Sequence, residues 1–324
     1  MRLFVQIPCL DEAETLPRVL EDLPKHIDGV DSIEVLVIDD GSSDATSDVA
    51  REHGVRHVVR FPARRGLAYG FMAGLDACLR LGADIVVNTD GDHQYRGADL
   101  EALIRPILDG KADLVVGDRQ VRTVAGFSRS KKVLQVLGSW VVRRFSGTSI
   151  SDATSGFRAI GREAASRLFV VGELTYTLET LIQAGAGRMS VVSVPVATNP
   201  PTRESRLFRT AAEYVGRSAV TILRAYTMYR PLQAFLSLAL VCLTIGVLIA
   251  ARFLYYFLTA DGYTGHIQSL ILAAILMILA FLLALLGVLG DLIAANRRML
   301  EDVRKRLIRL EETLVQRDRR GRDK

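Results

Sequence analysis

Two long stretches without a charged side chain, residues 232–251 and 267–290, constrain this chain more than any other feature. Each is at or beyond the roughly 20 residues a helix needs to cross a bilayer. Arg252 and the aromatics Phe253, Tyr255, Tyr256 and Phe257 follow the first stretch, as expected at a membrane–water interface. Residues 259–266, between the stretches, contain no Lys or Arg. Arg224 and Arg230 precede the first stretch, and Arg297, Arg298, Arg304, Lys305 and Arg306 follow the second. Positive charge stays on the cytoplasmic side, so both ends are expected there. The alternative, a helical hairpin buried in a soluble core, is disfavoured.

The rest of the 324-residue chain reads differently. The overall apolar fraction of 49% is ordinary, but before the first stretch it is cut into short runs separated by charge. Strands are expected over 2–7, 33–38, 55–60, 83–89 and 112–117, and helices over 11–23, 43–52, 67–81 and 98–108. Strands alternating with helices predict an α/β domain with a mostly parallel sheet covered on both faces. Residues 128–196 are less regular, with helices expected over 131–145 and 177–184 and a strand over 189–196. A Pro-rich loop at 199–206 then leads to a helix over 207–229 with Leu207, Tyr214, Val215 and Ile222 on one face and Arg209, Arg217 and Arg224 among its charges. Beside a membrane segment, this reads as an interfacial helix.

After the second stretch, Leu300, Val303, Leu307, Leu310 and Leu314 recur at intervals of 3, 4, 3 and 4. Such a seam serves either a homo-oligomer or packing on the chain's own catalytic domain. The expected divisions are therefore 1–206, 207–230, 231–290 and 291–324, the last a cytoplasmic helix ending in a basic tail. The first residues are too short and too soon acidic for a secretory leader, which keeps the N-terminal part in the cytoplasm. Cys9, Cys78 and Cys242 have no paired spacing, in keeping with a reduced compartment. The net charge of +5, with arginines clustered beside the apolar stretches, suggests a membrane surface and not nucleic acid.

In parallel sheets, ligands sit beyond the carboxyl ends of the strands. Three expected strands end there in acids: Pro8-Cys9-Leu10-Asp11-Glu12, Asp39-Asp40-Gly41-Ser42-Ser43-Asp44 and Asp90-Gly91-Asp92-His93-Gln94. In extended backbone, side chains two apart point the same way, so Asp90 and Asp92 would approach one cation, and Gly91 would let the backbone bend close to a ligand. One or two carboxylates completed by substrate phosphates is the usual magnesium arrangement. Asp39 or Asp40 could accept hydrogen bonds from a ribose or base, while Ser43 and Asp44 suit a helix N-cap. Arg64-Arg65-Gly66 either meets a diphosphate or is an exposed basic pair.

Taken in order over residues 1–207, these motifs with Ser155-Gly156-Phe157-Arg158 resemble family-two glycosyltransferases of the GT-A fold, and within them the dolichol- or polyprenyl-phosphate sugar synthases. Asp11, where the family usually has Asn, and Tyr95-Arg96-Gly97, where prolines are common, depart from the pattern. The resemblance implies a Rossmann-like nucleotide-sugar-binding domain in which Pro8, Leu10, Glu12, Asp39, Asp40, Arg65 and Asp90 line the nucleotide. It implies that Asp90, Asp92 and Gln94 hold Mg2+ or Mn2+ against the diphosphate. It further implies that Arg203 and Arg206 grip the acceptor phosphate, Arg206 standing where Lys is frequent. The partners implied are a GDP- or UDP-sugar, a polyprenyl or dolichyl phosphate and membrane lipid. Glu179 suits either a sugar or arginine contact or a plain helix face.

Two rivals share the fold. A processive polysaccharide synthase would carry Gln-x-x-Arg-Trp, and the one tryptophan, Trp140, lacks that context. A non-catalytic membrane-anchored nucleotide-sugar-binding protein would not need every acid of the pattern.

Overall fold

The computed structural model describes residues 1–120, 143, 147–148, 150–170, 176–200, 216, 220, 223–224, 226–259 and 267–322. Arg203, Arg206, Trp140 and most of the helices expected over 131–145 and 207–229 lie outside them. The chain divides into two units, Met1–Ile222 with Glu301–Lys324, and Leu223–Leu300.

Among the described residues, the first unit holds seven strands: β1 (Arg2–Cys9), β2 (Ser32–Asp39), β3 (His57–Arg60), β4 (Ile85–Asn88), β5 (Leu114–Asp118), β6 (Arg158–Gly161) and β7 (Val191–Pro195). They form one sheet in the order β3-β2-β1-β4-β6-β5-β7. Every pairing is parallel except the two made by β6, with β4 and with β5. The helices are α1 (Leu16–Asp22), α2 (Thr46–Glu52), α3 (Leu67–Arg80), α4 (Leu100–Leu108), α5 (Arg162–Arg167) and α6 (Thr177–Ala186). One core layer joins Phe4, Leu36, Ile38 and Val86 to Phe71, Leu75, Ala164 and Leu181 of α3, α5 and α6. The other joins Leu3, Val5, Val37 and Val87 to Leu16, Ala50 and Leu103 of α1, α2 and α4. With both faces covered, the strands read as continuous apolar runs.

Two helices start later than their apolar spacing suggests, and both delays serve the strand ends. α1 begins at Leu16 because Asp11 has φ of 52°, a left-handed conformation that no helix accommodates. α2 begins at Thr46 because Ser42, Ser43 and Asp44 are spent on cross-links to the β1 loop. Strand β6 has no counterpart in the sequence reading: it is four residues long and opens with a buried arginine.

The second unit holds α7 (Pro231–Thr259) and the first part of α8 (Ile267–Arg322); α7 and Ile267–Arg297 of α8 are long and apolar enough to span a membrane. α8 runs on unbroken past residue 290, since no proline interrupts it. Apart from Pro231 at the start of α7, the residues described as buried along these helices are small: Ala239 and Gly246 on α7, and Ala273, Ala280, Gly287 and Ala294 at seven-residue steps on α8. A methyl on Gly246 would meet Met277 Cγ at 3.1 Å and the Ala273 carbonyl at 3.2 Å, which shows how closely the backbones approach.

Candidate active site

The parallel register brings Cys9 opposite Asp39 and Gln6 opposite Asn88, so the loops after β1, β2 and β4 leave one edge of the sheet side by side. The β1 and β2 loops are stitched together. Asp11 N–H donates to Ser42 Oγ at 3.0 Å, Glu12 N–H to Thr46 Oγ1 at 2.9 Å and Ala13 N–H to Asp44 Oδ2 at 3.0 Å. In return the Asp11 carboxylate accepts from the Ser43 amide and hydroxyl, at 2.8 and 3.0 Å. Asn and Asp are the residues that tolerate φ above zero while offering such an acceptor. The Asp found where the family usually has Asn therefore keeps both functions.

Asp39 is wholly buried and accepts from Ser42 N–H at 2.7 Å and from the Ser47 hydroxyl, with Arg60 Nε at 3.5 Å. Asp40, also buried, accepts from the amides of Arg65, at 2.7 Å, and Gly66, at 2.9 Å. Asp40 thus holds the two residues just before α3 through side-chain oxygens, and those amides are already engaged. What Arg65 presents outward is its guanidinium, lying 4.7 Å over the Tyr69 ring. Ser43 does not cap α2; Asp44 takes the Thr46 amide at 3.0 Å.

The turn after β4 departs from the extended backbone that the alternation argument assumed. β4 ends at Asn88, and residues 91–93 form a turn with His93 at φ of 58°. Asp92 accepts from the Gln94 amide at 3.1 Å, the Asx geometry that stabilises such turns. Asp90 and Asp92 are therefore brought together by a turn and not by strand alternation. Gly91 is a close-packed point: a methyl there would meet Cys9 Sγ at 3.0 Å and Glu12 Cγ at 3.2 Å. Thr15 Oγ1 ties the two loops, its one proton lying between two acceptors, the Gly91 carbonyl and Glu12 Oε2, both at 2.8 Å.

Acidity is concentrated here. Burial, followed by the charges of Glu12, Asp39, Asp44 and Asp90, pushes the Cys9 thiol well up. Burial, then the Asp92 charge and more weakly Glu12, pushes the Asp90 carboxyl up to about 7, against Arg119 and Arg158, which pull it down. Among the described residues no three His, Cys, Asp or Glu side chains form a cage for a metal. Two crowded carboxylates on a turn, with too few donors to enclose an ion, fit a hard divalent cation whose remaining ligands come from a diphosphate.

Pro8, Leu10, Glu12, Asp39, Asp40, Asp90, Asp92 and Gln94 thus share one edge of the sheet, with Arg65 joined to it through Asp40. Thr198 and Asn199 are fixed at the same edge. Asn199 N–H donates to the Gln94 carbonyl at 2.9 Å and Asn199 Nδ2 to the His93 carbonyl at 3.0 Å, while Tyr95 bridges to Thr198. Glu179 is buried on α6.

Beneath the turn lies a polar network that sequence patterning does not announce. Asn88 Nδ2 donates to the Tyr176 hydroxyl at 2.7 Å and the Gly156 carbonyl at 3.0 Å, and Gln6 Nε2 donates to Asn88 Oδ1 at 2.9 Å. Arg119 makes a two-pronged ion pair with Asp152, at 2.7 and 3.0 Å. The one available signal was a polar residue inside an apolar run, as at Gln6 and Asn88.

The same α/β region is similar to known proteins. The chain is 31% identical over 206 residues to the polyprenol monophosphomannose synthase of Mycolicibacterium smegmatis, covering 60% of this chain and 76% of that protein. It is 33% identical over 165 residues to the undecaprenyl-phosphate mannosyltransferase of Micrococcus luteus, covering 49% and 66%. Glucosyl-3-phosphoglycerate synthase from Mycobacterium tuberculosis, crystallised with Mn2+, UDP-glucose and phosphoglyceric acid, shares the fold with a TM-score of 0.55 at 23% identity, over 70% of this chain and 79% of that one. The model of glycosyl transferase family 2 matches residues 4–169, the span that carries β1 to β6 and all three acidic strand ends, and the chain belongs to that family.

Proposed function

We propose that this glycosyltransferase moves a hexose from a GDP- or UDP-sugar to a polyprenyl phosphate at the cytoplasmic membrane face, with inversion at the anomeric carbon. The observation that carries the reading is the acidic turn Asp90-Gly91-Asp92, packed on the β1 loop and fastened by Asn199 to the segment that leads into Arg203 and Arg206. Pro8, Leu10 and Glu12 line the base and ribose side, with Asp39 and Asp40 holding the β2 loop in place. Asp90, Asp92 and Gln94 hold Mg2+ or Mn2+, which when bound supplies Lewis-acid neutralisation of the departing diphosphate.

The acceptor phosphate is largely ionised near neutral pH. One of its oxygens attacks the anomeric carbon as the bond to the diphosphate breaks, so no side chain has to remove a proton. Arg203 and Arg206 orient that phosphate, for which guanidinium geometry is well suited. The two apolar helices support a lipid acceptor, because its tail resides in the bilayer while its head must reach the strand ends. The names of the mycobacterial and micrococcal relatives support the same acceptor class. Arginines before α7 and after residue 296 support a cytoplasmic catalytic unit.

The test uses purified protein, labelled GDP- and UDP-sugars, Mg2+ or Mn2+, and either polyprenyl phosphate or phosphoglycerate as acceptor. Asp92→Ala is expected to lower metal-dependent transfer to the lipid by at least about 10^3-fold, the scale of several kcal/mol of charge stabilisation, with the fold intact. Undiminished turnover in that variant would sink the assignment. Transfer to phosphoglycerate alone would replace the lipid by a soluble acceptor.

A further inference from the structure

The segment leading into β6, Ser155-Gly156-Phe157, passes directly behind the acidic turn. A methyl placed on Gly156 would lie 2.8 and 2.9 Å from the two Asp90 carboxylate oxygens and 3.1 Å from the Tyr176 hydroxyl. Carbon does not approach oxygen that closely, so the carboxylate would have to move. Gly156 is not among the residues with positive φ, so its backbone conformation is open to alanine. What requires glycine here is space.

Everything around that space is held in place. Gly156 N–H donates to the Tyr95 hydroxyl at 3.0 Å, and the Gly156 carbonyl accepts from Asn88 Nδ2 at 3.0 Å and from the Tyr176 hydroxyl at 3.2 Å. The Tyr95 ring stacks on Phe157, and the Tyr176 ring on Phe71 at 3.9 Å between centroids. Arg158 seats the loop from below, donating to the Ser155 carbonyl at 2.9 Å, the Ala153 carbonyl at 2.9 Å and Thr180 Oγ1 at 2.6 Å. A fully buried guanidinium bonded to neutral oxygens is expensive to keep, and here it fixes the loop that carries Gly156.

We propose that Gly156 is a positioning residue for Asp90: a bare stretch of hydrogen-bonded backbone, seated by Arg158, that sets where the carboxylate points. The consequence for metal binding rests on the reading of Asp90 as a ligand of the donor-bound cation. The contact itself is testable without any ligand, so the two ideas fail separately.

Gly156→Ala is compared with Gly161→Ala at the end of β6, where a methyl would meet only the Asp113 carbonyl and Ile107 Cγ2, both at 3.5 Å. In the ligand-free protein, Gly156→Ala is expected to lower the unfolding midpoint, and most of that loss is expected to vanish in Asp90→Ala, where the methyl takes the space of the missing carboxylate and only its contact with the Tyr176 hydroxyl remains. A penalty of undiminished size in the Asp90→Ala background overturns the proposal. If Gly156→Ala alone does not fold, recovery of folded protein in the double variant supports the proposal, and failure to recover overturns it. With Mn2+ and UDP or GDP as probes, the Mn2+ needed for half-maximal nucleotide binding is expected to rise at least about tenfold in Gly156→Ala, the usual scale for residues that orient a ligating group, and to stay unchanged in Gly161→Ala. An unchanged Mn2+ requirement in Gly156→Ala, where Asp90→Ala raises it, also overturns the proposal; an unchanged requirement in both variants overturns the reading of Asp90 as a ligand. If wild type binds neither nucleotide with Mn2+, the donor assignment fails while the ligand-free comparison still decides the role of Gly156.

Discussion

Leu75 of the α/β unit is 1% exposed, whereas Leu240 on α7 is 63% exposed and Phe281 on α8 is 69% exposed. The inversion extends to what lies inside. The first unit buries Phe4, Phe71 and Ile38, and the second buries Ala239, Ala273, Ala280 and Gly246. In water, removing large apolar side chains from solvent drives packing. In lipid that drive is absent, because the tails are as apolar as leucine, and helices associate by close backbone approach between small residues. A second difference concerns polar groups. The α/β unit buries Gln6, Asn88, Asp152 and Arg158, each with hydrogen-bond partners, beneath its proposed site. Stability in the first unit should therefore be most sensitive to unpairing a buried charge, and in the second to any added bulk along the small-residue seam.

The largest expected effect comes from the Arg119–Asp152 pair, whose side chains are 9% and 2% exposed. Asp152→Asn leaves a buried guanidinium facing a neutral amide, and breaking a buried pair costs roughly 3–5 kcal/mol. Burial alone would raise the Asp152 carboxyl, but the Arg119 charge and its hydrogen bonds hold it below the usual carboxylate range. A carboxyl depressed in the folded state stabilises at pH above its unfolded value, about 3.9, and that contribution is lost as pH falls through the folded value. Denaturant unfolding at pH 7 should show the full deficit of Asp152→Asn. The gap from wild type should then narrow below about pH 4. A deficit that stays constant down to pH 2 would mean the pair is not what Asp152 contributes.

How far such contrasts could be read from the chain differs between the units. The two long apolar helices were legible because twenty or more uncharged residues in a row leave few alternatives. The acidic strand ends were legible because β-branched runs such as 35–38 stop abruptly in Asp39-Asp40. Strand β6 was not legible, since four residues opening with Arg158 carry no alternation, and its antiparallel place between β4 and β5 is settled by pairing with residues far away in sequence. The network under Asp90 was hidden for the same reason: Asn88 meets Tyr176 across 88 residues. The reason Asp90 and Asp92 meet was misread, because a turn rather than an extended strand joins them.

An intermediate effect is expected from Gly246→Leu. Beyond the first methyl, which already presses on Met277 and the Ala273 carbonyl, three more carbons have no room between α7 and α8. Overpacking of this kind costs about 1–3 kcal/mol. Thermal unfolding of detergent-solubilised protein should report a lowered midpoint for the unit that holds α7, with nucleotide binding by the α/β unit retained. Gly246→Leu with wild-type stability would mean that the two backbones need not approach closely.

The smallest effect is the one that most sharpens the contrast. Leu240→Ala removes as many carbons as Leu75→Ala, and in a water-soluble core that truncation costs about 2–5 kcal/mol. Leu75 sits among Phe4, Phe71 and Leu79 in a closed core layer, so Leu75→Ala should show the full penalty. Leu240 faces outward from α7, where lipid or detergent tails fill whatever space its side chain vacates, so no cavity remains to be costed. Leu240→Ala is therefore expected to change stability by less than about 0.5 kcal/mol, as surface substitutions usually do. Unfolding of the pair in the same bilayer-mimicking detergent makes the comparison direct. A Leu240→Ala cost near that of Leu75→Ala would mean that Leu240 is covered by protein, and that the outward face of α7 packs on another chain.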